Sequence, residues 1–122
     1  MVVVAELDAV LCALLPDGNV DIPVMRRLIA GAGTLQITFH RAFDECADPF
    51  RALEEIICLG CGRLLTSGQK PTADEGVALI RQLVERADGR IIIMPCSGIT
   101  PVNLQSIAIS TGATEFHGTR LP

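Results

Sequence analysis

Short apolar runs recur along the chain at regular intervals: Ala9 to Leu14, Gln36 to Phe39, Arg63 to Leu65, Arg90 to Met94 and Thr114 to His117. Their starts lie 27, 27, 27 and 24 residues apart. Between them, apolar positions fall at helical spacing: Val24, Leu28 and Ile29; then Phe50, Leu53, Ile56 and Ile57; then Val77, Ile80, Leu83 and Val84. Strand and helix therefore alternate with one helix per crossover, and parallel pairing is the expected arrangement. The runs are apolar on both faces, as in a sheet covered by helices.

Helix ends are chemically marked. Asp21 before Pro23 predicts an N-cap with a first-turn proline, and Gly31 with Gly33 closes that helix. Asp48-Pro49 opens the next, which Gly60 ends. Thr72 with Glu75 has the form of a capping box, and Asp88-Gly89 stops that helix. Thr100-Pro101 opens the last, ending at Gly112. No low-complexity linker interrupts the pattern, so residues 1–122 form one domain.

A period near 27 residues fits the lean units of a (β/α)8 barrel, but eight such units need about 250 residues. About five strands and four helices fit into 122 residues. The fold class is therefore α/β: an incomplete (β/α)8 barrel, an open five-stranded sheet, or a piece of something larger.

Composition narrows the function. Hydrophobic residues make up 49% of the chain and aromatics only 3%, so the core is aliphatic and base-stacking platforms are missing. A net charge of -4 favours neither nucleic acid nor an anionic membrane surface. The first fifteen residues are apolar but carry Glu6 and Asp8 with no basic residue before them, unlike a signal peptide. No run approaches the roughly 18 apolar residues of a membrane span. Five cysteines, an odd number in apolar segments, fit thiols of a reducing compartment, and the cytoplasm is the expected location.

In parallel sheets chemistry gathers where strands end. Those loops hold Leu15 to Asp21, Thr38 to Asp44, Leu65 to Lys70, Met94 to Ile99 and Glu115 to Arg120, which bring histidines, arginines, carboxylates, hydroxyls and glycines to one rim. Several of these strings, PDGNVD, TFHRAFDECADP, RLLTSGQ, GRIIIMP followed by GIT and NL, and GATEFH, are similar in order to those of the CutC family, implicated in copper homeostasis. The resemblance covers residues 8–119 and implies strands four to eight of a TIM-like barrel, with the chain a fragment. It implies copper, as Cu(I), as the cofactor or cargo, although the family cysteines proposed for copper fall on the strands that this template places before residue 8. This sequence departs from the family pattern at Cys96-Ser97-Gly98, where a glycine-rich turn is usual, and at Gly118-Thr119.

The candidate residues have bland and functional readings side by side. His40, with a side chain that titrates near neutrality, is an acid/base candidate; Arg41 pairs with Asp44 or grips an anion. The same three residues also suit a loop-fixing network. Glu115 and His117 share a strand face, and a buried Glu115 requires a cation or a histidine nearby. One expectation is that they cluster with His40 at the rim. Thr66, Ser67 and Gly68, with Ser97 and Gly98, offer hydroxyl and amide donors to an anion or form ordinary turns. Cys58 and Cys61 have C-x-x-C spacing, able to hold Cu(I), but sit at a helix end where Gly60 terminates the helix. Ser67, His40 and Asp44 make a hydrolytic set only on paper, with no supporting motif.

The reading is thus a CutC-like copper homeostasis protein that binds copper. The alternative is a barrel enzyme acting on a small anionic or phosphorylated ligand. The strands at Ala9 to Leu14 and Thr114 to His117 are expected to leave open edges, with barrel-interior residues facing water, so that the chain self-associates or takes a partner completing the barrel.

Overall fold

The alternating pattern folds into a curved parallel sheet with helices on one face. The computed structural model describes residues 9–118 together with the backbone of residues 3–4. In chain order the elements are β1 (Val3–Val4), β2 (Ala9–Leu11), α1 (Ile22–Ala32), β3 (Ile37–Phe39), a 3₁₀ turn (Arg41–Glu45), α2 (Pro49–Cys58), β4 (Arg63–Thr66), α3 (Val77–Ala87), β5 (Ile92–Pro95), α4 (Leu104–Thr111) and β6 (Glu115–Phe116). Strands β2 to β5 pair in sequence order, all parallel. A single parallel bridge, Cys96 to His117, continues the order to β6, and β6 pairs in parallel with β1.

The two faces of the sheet separate cleanly. One register row, Leu11–Phe39–Leu64–Ile93, points toward the helices, where Phe39, Leu64 and Ile93 are buried with Phe116. Met25 of α1, Leu53 and Ile56 of α2, Ile80 and Leu83 of α3, and Ile107 of α4 complete that core. Each fully buried Leu or Phe contributes about 1.5–3 kcal/mol, and Leu64→Ala would cost about 2–5 kcal/mol with the cavity it leaves.

The neighbouring row, Val10–Thr38–Arg63–Ile92, lies on the opposite face. Here two expectations need correction. Leu65, Met94 and Cys96 do not face water: they are buried as a second, smaller cluster. Arg63 of β4 and Glu115 of β6 bond to each other over the intervening β5, which helps to cover that face. Val10, at the β2 end of that row, is 39% exposed. The edge of β6 is also not open, since Val3 and Val4 pair with Glu115 and Phe116. Among the described residues, β2 alone keeps an unpaired outer edge in the four-stranded sheet.

Caps hold where a side chain reaches the helix directly. Asp21 accepts from the Val24 amide at 3.2 Å, and Asp48 from the Phe50 and Arg51 amides at 3.1 and 3.2 Å. Thr72 and Glu75 bond without forming the reciprocal box: Thr72 Oγ1 accepts from the Glu75 amide at 3.4 Å and donates to Glu75 Oε1 at 3.1 Å, in a turn that precedes α3, whose own N-cap is Gly76. Similarly, Thr100-Pro101 opens a turn, and α4 begins at Leu104 because Asn103 Oδ1 accepts from the Thr100 amide and holds that turn outside the helix. Strand β2 stops at Leu11; Leu14 bridges antiparallel to Val20 instead. Among the described residues, no helix is long and apolar enough to cross a membrane.

Candidate functional site

The chain leaves β3 through His40, whose backbone stays extended while its Nδ1 accepts from the Ala42 amide at 3.2 Å. That bond caps the 3₁₀ turn, and Phe43, fully buried, anchors it. His40 and Arg41 follow the strand and open the turn, and both are exposed.

Asp44 is the centre of what the turn presents. Its Oδ1 accepts from Thr66 Oγ1 at 2.6 Å and from the Gln69 amide at 3.1 Å. Its Oδ2 accepts from the Ser67 amide at 2.9 Å and faces Ser67 Oγ at 2.8 Å. Arg41 Nε approaches the same oxygen at 3.5 Å, and Arg41 Nη2 donates to Ser67 Oγ at 3.1 Å. The single Ser67 hydroxyl proton goes either to Asp44 or to the Lys70 carbonyl, 2.6 Å away. Asp44 thus fastens the loop after β4 to the turn after β3, with its acceptor capacity filled from within the chain.

That loop is tight for a steric reason. The Gly68 amide donates to Thr66 Oγ1 at 3.0 Å, and a Cβ at Gly68 would overlap the backbone of Gly76, as one at Gly76 would overlap Ser67. Gly68 has φ +72°, and Gln69 follows at φ 60°, its Nε2 donating to the Cys46 carbonyl at 3.0 Å. After β5, Ser97 takes φ 80° and donates through Oγ to the Pro71 carbonyl at 3.0 Å, while Gly98 packs on Thr72. The backbone and hydroxyl donors expected to grip an anion are thus largely engaged inside the fold.

Beneath the rim, Cys96 is buried beside this network. Burial first, and the Asp44 carboxylate second, push its thiol up to about 12, against the opposing pull of Arg41. A cavity of ≈ 320 Å³ opens outside, lined by His40, Arg41, Ala42, Asp44 and Glu45. Arg41 is 43% exposed there, but it shares the lining with Asp44 and Glu45, so the cavity holds no positive excess to draw an anion.

The structure brings together Arg41, Asp44, Thr66, Ser67 and Gly68. Among the described residues, His40, Glu115 and His117 make no hydrogen bond or ion pair with one another. Glu115 bonds Arg63, which also donates from Nη1 to Gln36 Oε1 at 2.8 Å. His117 is exposed and joins β5 through its amide, which donates to the Pro95 carbonyl at 3.1 Å. Two residues along a strand are about 6.6 Å, so Glu115 starts that much nearer the amino end than His117. Ser67 and Asp44 touch without His40 between them, and no hydrolytic relay forms. Cys58 is exposed at the end of α2, while Cys61 is buried in the main core with its thiol pushed up to about 11 by burial. Among the described residues no three His, Cys, Asp or Glu side chains gather as a metal cluster. Two members escaped sequence reasoning: Gln69, which already stood in the RLLTSGQ string, and Arg63, the cation that a buried Glu115 requires.

The model of the CutC family matches residues 2–121. The chain belongs to the CutC family. It is 58% identical to a CutC protein of Parabacteroides distasonis over 85% of this chain and 43% of the relative. A CutC protein of Xanthomonas campestris is 56% identical over 88% of this chain and 45% of its own length. A solved CutC structure from Streptococcus agalactiae superposes with a TM-score of 0.87 at 32% identity, covering 93% of this chain and 56% of that one. The chain therefore spans less than half the length of these two sequence relatives, and its sheet is part of the CutC barrel.

Proposed function

We propose that this chain acts in copper homeostasis, as the part of a CutC barrel that it spans, with the copper ion as cargo. The observation that carries this reading is the family match over residues 2–121; the solved relative from Streptococcus agalactiae is named for copper homeostasis. The rim supports it from the other side, because Asp44 and Ser67 are engaged in holding loops rather than offered to a substrate.

Copper enters this chain, in our reading, at Cys58 and Cys61, the thiols with chelating spacing. Cys58 faces solvent, and Cys61 must leave the core to join it. Both lie at or just beyond the end of α2, where a helix opens locally at least cost. Uptake is accordingly weak and coupled to fraying of that end.

Competition of the 122-residue chain with a Cu(I) chelator tests this. The expected result is uptake that falls at least tenfold in Cys58→Ser/Cys61→Ser and is unchanged in Cys12→Ser. Equal affinity in the double variant removes the pair, and no uptake by the parent chain removes copper binding from this part of the barrel.

A further inference from the structure

At the amino ends of β3, β4 and β5, away from the rim that Asp44 organises, a cavity of ≈ 560 Å³ opens, larger than the ≈ 320 Å³ beside His40. Ile29, Leu35, Ile37 and Ile92 give it apolar walls, and Gln36 and Arg63 supply its polar side chains. Its volume is that of a small-molecule pocket.

Charge separates this cavity from two others. The rim cavity sets Arg41 beside Asp44 and Glu45, and the cleft between α1 and α2 sets Arg26 beside Glu54 and Glu55. Here Arg63 is the single charged residue of the lining, in a chain of net charge -4. Glu115 pairs with Arg63 through Nε but does not line the cavity.

The hydrogen bonds also have a direction. Arg63 commits Nε to Glu115 and Nη1 to Gln36 Oε1, at 3.0 and 2.8 Å, which leaves Nη2 without a partner among the described residues. A guanidinium only donates, so Gln36 turns its oxygen to Arg63 and keeps Nε2, also without a partner among the described residues, as a second donor. The carbonyls of Gln36, Ile37 and Gly62 already accept from the amides of Ala9, Gly62 and Ile92. Two free donors beside apolar walls suit a ligand with an acceptor-only head and an aliphatic body.

We infer that this cavity binds a small aliphatic monocarboxylate, its oxygens accepting from Arg63 Nη2 and Gln36 Nε2. A neutral amide fits less well: its own N–H groups find those carbonyls taken, and it lacks the charge-assisted bond to the guanidinium. The carbonyl ends of α1 and α2 come to the same side, near Gly33 and Gly60, and oppose an anion. Affinity is therefore low, with a dissociation constant of about 1 mM.

A ¹H–¹⁵N NMR titration of the 122-residue chain with isovalerate, and in parallel with isovaleramide, tests the inference. Saturable shifts at the amides of Gln36, Gly62 and Ile92 are expected with isovalerate, and binding about fivefold weaker with the amide. Leu35→Asp, at a position 49% exposed, brings a carboxylate to the lining and is expected to abolish the shifts while leaving the fold unchanged. Arg63→Met/Glu115→Leu removes the cation together with its partner and is expected to abolish them too. Absence of saturable shifts overturns the inference, as does equal affinity for the two probes. Shifts gathered at Ala42 and Glu45 instead place the anion at the rim and overturn it as well. Undiminished binding in Leu35→Asp removes the cavity as the site, and undiminished binding in the double variant removes Arg63 as its holder.

Discussion

Arg63 and Glu115 meet across a strand that belongs to neither: Nε of the first lies 3.0 Å from Oε1 of the second, over the face of β5. Their side chains are only 18% and 13% exposed, so each charge depends on the other for solvation. The pair ties β4 to β6 where a single backbone bridge otherwise joins β6 to the sheet.

Removing one partner strands the other in a half-dry site. Glu115→Ala is expected to lower stability by about 2 kcal/mol, while Arg63→Met/Glu115→Leu regains most of that loss. Urea unfolding of the parent, the single and the double variant checks this; a double variant that loses as much stability as Glu115→Ala or more would show that the loss is not due to a stranded charge.

Asp44 accepts from two fixed backbone amides, those of Gln69 and Ser67, one on each carboxylate oxygen. Asp44→Asn keeps the shape but turns one acceptor into a donor, which then confronts an amide in either orientation. A loss of about 1–3 kcal/mol is expected, with little change in helical content by circular dichroism. A variant as stable as the parent would show that the network does not hold the loops.

Ser97 occupies a left-handed conformation that costs a side chain energy but suits glycine. Ser97→Ala loses the hydroxyl bond to Pro71 and keeps the strain; Ser97→Gly loses the bond and sheds the strain. The glycine variant is expected to be more stable than the alanine variant by about 1 kcal/mol, read as a difference in urea midpoints.

Burial raises the thiols of Cys46 and Cys61 to about 11 and of Cys96 to about 12. Their folded values exceed the unfolded ones, so the stability involved is fully present below pH 9 and is lost as pH rises through 11 and 12. Each thiol removes up to about 1.4 kcal/mol per pH unit in that window. Urea midpoints falling steeply between pH 9 and 11, with Cys96→Ala less sensitive than the parent, are the expected outcome. At pH 8, a thiol reagent is expected to label Cys58 well before these three.

How much of this was legible in advance follows from the range of the interactions. Asp21 and Asp48 could be read as caps because the amides they accept from lie two or three residues away. The sites of β2 to β6 and of the four helices could be read because alternation and helical spacing are local. The strings from PDGNVD to GATEFH placed the chain in its family by the same kind of local evidence. Helix starts at Thr72 and Thr100 were read too early, since a capping side chain can close a turn as readily as a helix.

The amino-acid sequence by itself determined the βα alternation, the parallel sheet and the family. Only the tertiary structure decided what Asp44, Arg63 and Glu115 do. Asp44 finds its donors 22 to 25 residues away, and Arg63 finds Glu115 52 residues away. Such partners depend on the register and curvature of the sheet, which fix which side chains share a face and at what height. The same dependence separates Cys58 from Cys61: three positions along the chain set their spacing, but the packing of α2 on the sheet turns one thiol to solvent and the other into the core.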